Sequence, residues 1–78
     1  NRQEDAIPYF KKAVEIDPKD AHNHIELGRC YAVIGDKEAA LKQAEIVEGI
    51  EPGNKNNQIQ ANKLRYLVYF IDKYINKK

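Results

Sequence analysis

The chain has 78 residues, 42% of them hydrophobic, enough for one small domain that buries only roughly 60% of its unfolded surface. Thirteen Lys and Arg against twelve Asp and Glu leave a net charge of +1, so bulk charge points neither toward nor away from nucleic acid. The single cysteine, Cys30, excludes an internal disulfide framework and a zinc knuckle, and no apolar run approaches the ~18 residues of a membrane span.

Four helices are predicted, over about 4–16, 22–34, 37–49 and 57–76. In the first, Ile7, Phe10, Ala13 and Val14 recur at three- and four-residue spacing, the period of one helix face. Pro8 lies inside this stretch, where its ring would clash with the carbonyl four residues back, so the effective start is expected near Asp5. Pro18 cannot continue the helix and biases Asp17 away from the α region. Ile25, Leu27, Cys30, Tyr31, Val33 and Ile34 mark the second helix. Gly35 stands where a left-handed C-cap is wanted, and Asp36 follows as N-cap of the third helix. After Pro52 the run Gly53-Asn54-Lys55-Asn56-Asn57 forms a turn. The last helix carries the stripe Ala61, Leu64, Leu67/Val68, Ile71 and Tyr74/Ile75, widened on one side by Tyr66, Tyr69 and Phe70. Charge changes sign along the chain: residues 1–54 hold 7 basic and 11 acidic groups, residues 55–78 hold 6 and 1. The small total therefore hides a dipolar molecule.

An internal repeat organises these helices. At an offset of 34 residues Glu4 falls on Glu38, Ala6 on Ala40, Ile7 on Leu41, Ile16 on Ile50, Asp17 on Glu51 and Pro18 on Pro52. Gly28 and Ala40 remove side-chain bulk where the second and third helices approach, with Leu27, Tyr31 and Leu41 filling the space around them. On that reading, Gly28→Leu forces those two helices apart.

The residues His24-x-x-Leu27-Gly28-x-x-Tyr31, Ala40-x-x-x-Ala44 and Pro52, preceded by Ala6-x-x-x-Phe10, Ala13 and Pro18, resemble the tetratricopeptide repeat, which has this period and signature. The resemblance implies an all-α, right-handed superhelical stack of antiparallel helical hairpins. Within it, residues 1–20 would be the second helix of a truncated repeat, 21–54 one complete repeat, and 55–78 a long C-terminal capping helix. At offset 34 that last helix keeps Ile25/Ile59 and Val33/Leu67 but has Ala61, Asn62 and Arg65 for Leu27, Gly28 and Tyr31. His24 stands for the family's large apolar residue and Ala44 for its aromatic, which predicts a less tightly filled unit. Since one hairpin cannot bury its apolar face alone, Ile7, Phe10 and Val14 are expected to be partly uncovered.

No catalytic constellation is recognisable. There is no Gly-rich phosphate loop, no G-x-S-x-G and no HExxH. His22 and His24 are two apart on a helix, pointing roughly 200° away from each other, so they cannot share a metal. Cys30 reads as a buried, inert thiol. No cofactor, metal or enzymatic activity is expected.

The expected function is a protein–protein interaction scaffold. The resemblance puts His22, Ile25, Arg29, Ala32 and Val33 on a concave groove, an apolar floor with one guanidinium suited to a peptide or partner helix bearing a carboxylate. A chaperone-clamp subtype is not expected, because Glu26 stands where that clamp has Asn. Two alternatives centre on the last helix, where Tyr66, Tyr69 and Phe70 sit among Lys63, Arg65, Lys73, Lys77 and Lys78. One is homotypic assembly, the basic helix of one chain meeting the acidic, under-covered first helix of another. The second is binding of nucleic acid or an anionic membrane surface by aromatics among basic groups. The start at Asn1, with no apolar leader, reads as a piece of a longer protein. With a free cysteine, it suggests a cytoplasmic setting.

Overall fold

In the computed structural model, which describes residues 2–75, the chain forms α1 (Arg2–Ile16), α2 (Ala21–Ile34), α3 (Lys37–Ile50) and α4 (Lys55–Tyr74). No strand occurs among the described residues. Three short polar side chains start three of these helices. Asp20 accepts from the backbone N–H of His22 at 3.0 Å, Asp36 from Ala39 at 3.2 Å, and Asn54 from Asn57 at 2.9 Å. Each satisfies a donor that the first helical turn leaves without a partner. The cap at Asn54 starts α4 two residues before the predicted position. Gly35 ends α2 at φ 93°, the left-handed conformation that favours glycine.

The expected late start of the first helix is not observed. α1 begins at Arg2 and runs through Pro8. The segment before the proline is held in helical register by α2: Gln3 accepts a bond from the Cys30 thiol at 3.4 Å, and Ala6 and Ile7 are half-buried. Tertiary packing here outweighs the loss of one N–H donor at an exposed proline.

Helix α2 packs on α1, α3 and α4, and α3 packs on α4, whereas α1 meets neither α3 nor α4 among the described residues. Two apolar clusters join the last three helices. Ile25 meets Ala44, Val47, Ala61 and Leu64, while Ala32 meets Ala40, Val68 and Ile71. Val47 and Leu64 are the largest fully buried side chains, each worth about 1.5–3 kcal/mol in removed apolar surface. The small residues admit a third helix as well as a second. A Cβ at Gly28 would meet Leu64 Cδ2 of α4 and stand 3.1 Å from Gln43 Cβ of α3. Gly28 thus serves the α2–α3 approach, as expected, and its missing methyl makes room chiefly for α4, which the sequence reading did not foresee.

His24 does not leave a gap. Its ring is buried, Nε2 donates to the Pro18 carbonyl at 2.8 Å, and Nδ1 pairs with the Gln43 side-chain amide at 2.7 Å. The imidazole ties the α1–α2 turn to α3, work that an apolar ring could not do. On the far side, Arg65 grips Glu48 with both guanidinium nitrogens, at 2.8 Å and 2.5 Å, locking α4 to α3. This two-point pairing holds the Glu48 carboxyl below its usual range and pushes Arg65 up, in each case mainly through the hydrogen bonds between them.

Helix α1 contributes no fully buried residue. Phe10, Ala13 and Val14 are half-covered, and Tyr9 and Ile16 are 70% and 74% exposed. It is not an acidic helix, as homotypic pairing by charge would need: Glu4, Asp5 and Glu15 are matched by Arg2, Lys11 and Lys12.

Candidate functional site

Helices α2 and α4 begin 34 residues apart, at Ala21 and Lys55, so equivalent turns lie beside one another. A groove of about 420 Å³ opens between them. Its apolar wall is Ile25 from α2 with Leu64, Leu67 and Phe70 from α4, and Tyr66 forms a rim. Arg29 reaches in from α2, and Gln60 and Lys63 from α4. A second hollow of about 300 Å³ continues the groove toward the helix N-termini. It shares Ile25, Arg29 and Gln60 and adds His22, Glu26, Asn56 and Asn57.

Three of the five predicted α2 residues, His22, Ile25 and Arg29, line this groove. They differ in what they offer. Ile25 is 6% exposed and belongs to the core, so it floors the groove. The Arg29 side chain is 57% exposed, 3.9 Å from the Glu26 carboxylate, a loose ion pair that water screens. Ala32, expected on the groove, is instead buried at 3% against Ala40, Val68 and Ile71, because it faces the α3–α4 seam. Val33 is 46% exposed and borders neither hollow.

The three aromatics singled out on α4, Tyr66, Tyr69 and Phe70, separate. Tyr66 and Phe70 border the groove. Tyr69 lies outside it, 6.3 Å from the Tyr66 ring, and its hydroxyl accepts from Lys73 at 3.0 Å. Lys73 also stands 5.5 Å and 5.4 Å from the Tyr69 and Tyr74 ring centres, a cation–π arrangement. Of the basic groups expected around these rings, Lys63 faces the groove, Arg65 is turned to Glu48, and Lys77 and Lys78 lie outside the described residues.

Sequence reasoning did not assign Gln60, Leu64 and Leu67 to the groove. The signal was the repeat itself: moving His22, Glu26, Arg29 and Val33 on by 34 gives Asn56, Gln60, Lys63 and Leu67, all of which line the two hollows. A peptide lying here would find an apolar strip flanked by two cations. No cluster of three or more His, Cys, Asp or Glu side chains that could hold a metal ion occurs among the described residues. Cys30 is buried, and its thiol is pushed up by that burial and by the nearby Glu26 charge, the reverse of an activated nucleophile. None of the described helices is long and apolar enough to cross a membrane.

A family model described as a tetratricopeptide repeat matches residues 2–62, from the start of α1 into the first half of α4. No curated protein and no solved structure matches the chain.

Proposed function

The chain belongs to the tetratricopeptide repeat family, whose repeats act as protein-interaction modules and are typically non-catalytic, and from that premise we propose that it binds a partner peptide or helix in the α2–α4 groove. The observation that carries this reading is the doubled lining. Two neighbouring helices present the same sequence of positions, and each contributes one cation, Arg29 or Lys63, beside a shared strip of Ile25, Leu64, Leu67 and Phe70. Such a strip suits aliphatic side chains of a peptide, with a carboxylate near one cation or each. The groove runs on into the second hollow, with which it shares Ile25, Arg29 and Gln60, so it suits a continuing segment rather than a small enclosed ligand.

Nucleic-acid binding by α4 has less to stand on. Arg65 is engaged by Glu48 and Lys73 is folded over Tyr69 and Tyr74, so neither cation stands free for a phosphate. A cytoplasmic setting fits a buried thiol that has no partner cysteine.

The test is peptide selection from a random display library on the wild-type chain and on Arg29→Glu/Lys63→Glu. Both positions are exposed, so the variant is expected to keep its helical signal. The wild type should select peptides pairing aliphatic with acidic residues, and the variant should lose them. Equal retention by both proteins would remove the groove as the binding site.

A further inference from the structure

We infer, resting on the peptide-binding reading above, that Glu26 sets the charge the α2–α4 groove accepts. The partner segment carries one carboxylate among its aliphatic side chains, seated at Lys63 on the α4 wall, and Glu26 turns a second carboxylate away from the α2 wall. Among the described residues lining the two hollows, Glu26 carries the single carboxylate, against the two cations Arg29 and Lys63. Those cations stand in unequal surroundings. The offset of 34 pairs Glu26 with Gln60 and Arg29 with Lys63, so each wall presents the same three-residue step, once with a carboxylate and once with its neutral amide counterpart. On α2 the Arg29 guanidinium lies 3.9 Å from the Glu26 carboxylate. On α4 Lys63 is exposed and forms no ion pair among the described residues.

This inequality decides where a carboxylate settles. Lys63 brings an uncompensated positive charge to the apolar strip of Leu64, Leu67 and Phe70, and a carboxylate arriving there gains a charge-assisted contact. A carboxylate arriving at Arg29 meets Glu26 as well, and the two opposite charges of α2 nearly cancel at a distance. Between exposed groups in water that opposition is small, because solvent and salt screen it. The Glu26 side chain, however, is 32% exposed against 57% for Arg29, and it borders the second hollow. A segment lying along the groove covers it further. Removing water there strengthens both the hold of Glu26 on Arg29 and the repulsion felt by a second carboxylate. Such discrimination comes from an unfavourable contact with the wrong partner rather than from a better contact with the right one. Asn56 and Asn57 of the second hollow offer amide groups to uncharged polar residues. The occupant is therefore a segment with aliphatic residues and one acidic residue over the larger hollow, continuing into uncharged polar residues over the smaller one. A run of acidic residues is rejected.

The experiment is selection from a random peptide display library with uncharged flanks, on the wild type, Glu26→Gln, Lys63→Gln and Glu26→Gln/Arg29→Gln, each checked for unchanged helicity. Calorimetric titration then uses synthetic enriched peptides with one acidic residue, and the same peptides with a second acidic residue placed at each flanking position in turn. The wild type should enrich aliphatic residues with a single acidic one. Glu26→Gln should shift the enriched set to two acidic residues and bind the best two-acid peptide about three- to tenfold more tightly than the wild type does, a gain that misfolding cannot produce. Adding Arg29→Gln should cancel the gain, since Arg29 is the cation released, and Lys63→Gln should lose the single-acid set. Glu38→Gln, exposed on α3 and outside both hollows, removes the same charge and should leave the preference as it is. A wild type that enriches two acidic residues as readily as one, no gain in Glu26→Gln, an equal gain in Glu38→Gln, or a gain that survives the loss of Arg29 would each overturn the role of Glu26 while leaving the groove as the binding site. A wild type that enriches no aliphatic residues removes the groove reading and the role of Glu26 together.

Discussion

Gly28→Ala adds one methyl group at the point where α2, α3 and α4 converge, and its outcome follows from two opposed effects. In a helix interior, replacing glycine by alanine stabilises by about 1 kcal/mol, because glycine loses more backbone freedom on folding. At Gly28 the new Cβ would overlap Leu64 Cδ2 and sit 3.1 Å from Gln43 Cβ. Leu64 is 2% exposed, so its end cannot swing away into solvent, and Gln43 Cβ moves only with the α3 backbone. Overpacking of this kind costs about 1–3 kcal/mol. The net expectation is a loss of about 1 kcal/mol, and Gly28→Leu, with three further carbons, should cost several times more and dislodge α4 first.

Gly49 supplies the matched control. It lies in α3, is exposed, and a Cβ there would meet nothing within 4 Å. Gly49→Ala should therefore stabilise by a few tenths to about 1 kcal/mol, the same chemical change with the opposite sign. Urea unfolding monitored by helical circular dichroism reads both. A third variant isolates the collision: Leu64→Val removes the two Cδ atoms and by itself costs on the order of 1 kcal/mol. In that background Gly28→Ala should become neutral or stabilising, a coupling of about 1–3 kcal/mol between residues in direct contact. If Gly28→Ala stabilises the wild type as Gly49→Ala does, the close approach of α2 and α4 is refuted, and with it the geometry of the groove.

The remaining predictions concern three polar or titratable groups. Glu48 has its folded-state pKa lowered by Arg65, so its contribution is full above the ordinary value of 4.5 and disappears as pH falls through the lower folded value. The stability gap between wild type and Glu48→Gln should accordingly narrow from pH 7 to pH 3, and urea midpoints that stay equally far apart would contradict the pairing. His24→Ala strands the Pro18 carbonyl and the Gln43 amide beside a new void. A loss of about 2–4 kcal/mol is expected from an unsatisfied buried polar group plus a cavity, read as a lower urea midpoint; a midpoint near that of the wild type would count against the tie. The Cys30 thiol, buried and pushed up, should react with a disulfide reagent at least tenfold more slowly in buffer than in denaturant, and equal rates would show α1 standing off α2.

Much of the architecture was legible because the signals were local. Gly35 and Asp36 specify a helix end and the next start within two residues, and the offset of 34 can be read from Ala6/Ala40 and Pro18/Pro52 without any knowledge of packing. What sequence reading misplaced depended on a third helix. Ala32 looked like a groove residue and Gly28 like a two-helix contact, because periodicity tells which face of a helix is apolar but not which neighbour covers it. Pro8 suggested a helix start near Asp5 because the rule that proline ends a helix weighs one lost hydrogen bond and takes no account of Gln3 and Ala6 packed on α2.

The same offset carries further than the elements it first identified. Applied to His22, Glu26 and Arg29 it yields Asn56, Gln60 and Lys63, the second wall of the groove; applied to Ile25 it yields Ile59, an isoleucine in the same register that is 51% exposed. The two results have different physical standing. His22, Glu26 and Arg29 and their counterparts Asn56, Gln60 and Lys63 are polar in both copies of the register and flank the apolar strip of the groove. The register of Ile25 remains apolar at Ile59, which is half exposed where Ile25 is buried. The register therefore tells which positions share a face and the exposure of each tells how that face is used: Arg29 and Lys63 stand exposed on the two walls of the groove, and their joint reversal is the change that decides whether the groove holds a partner.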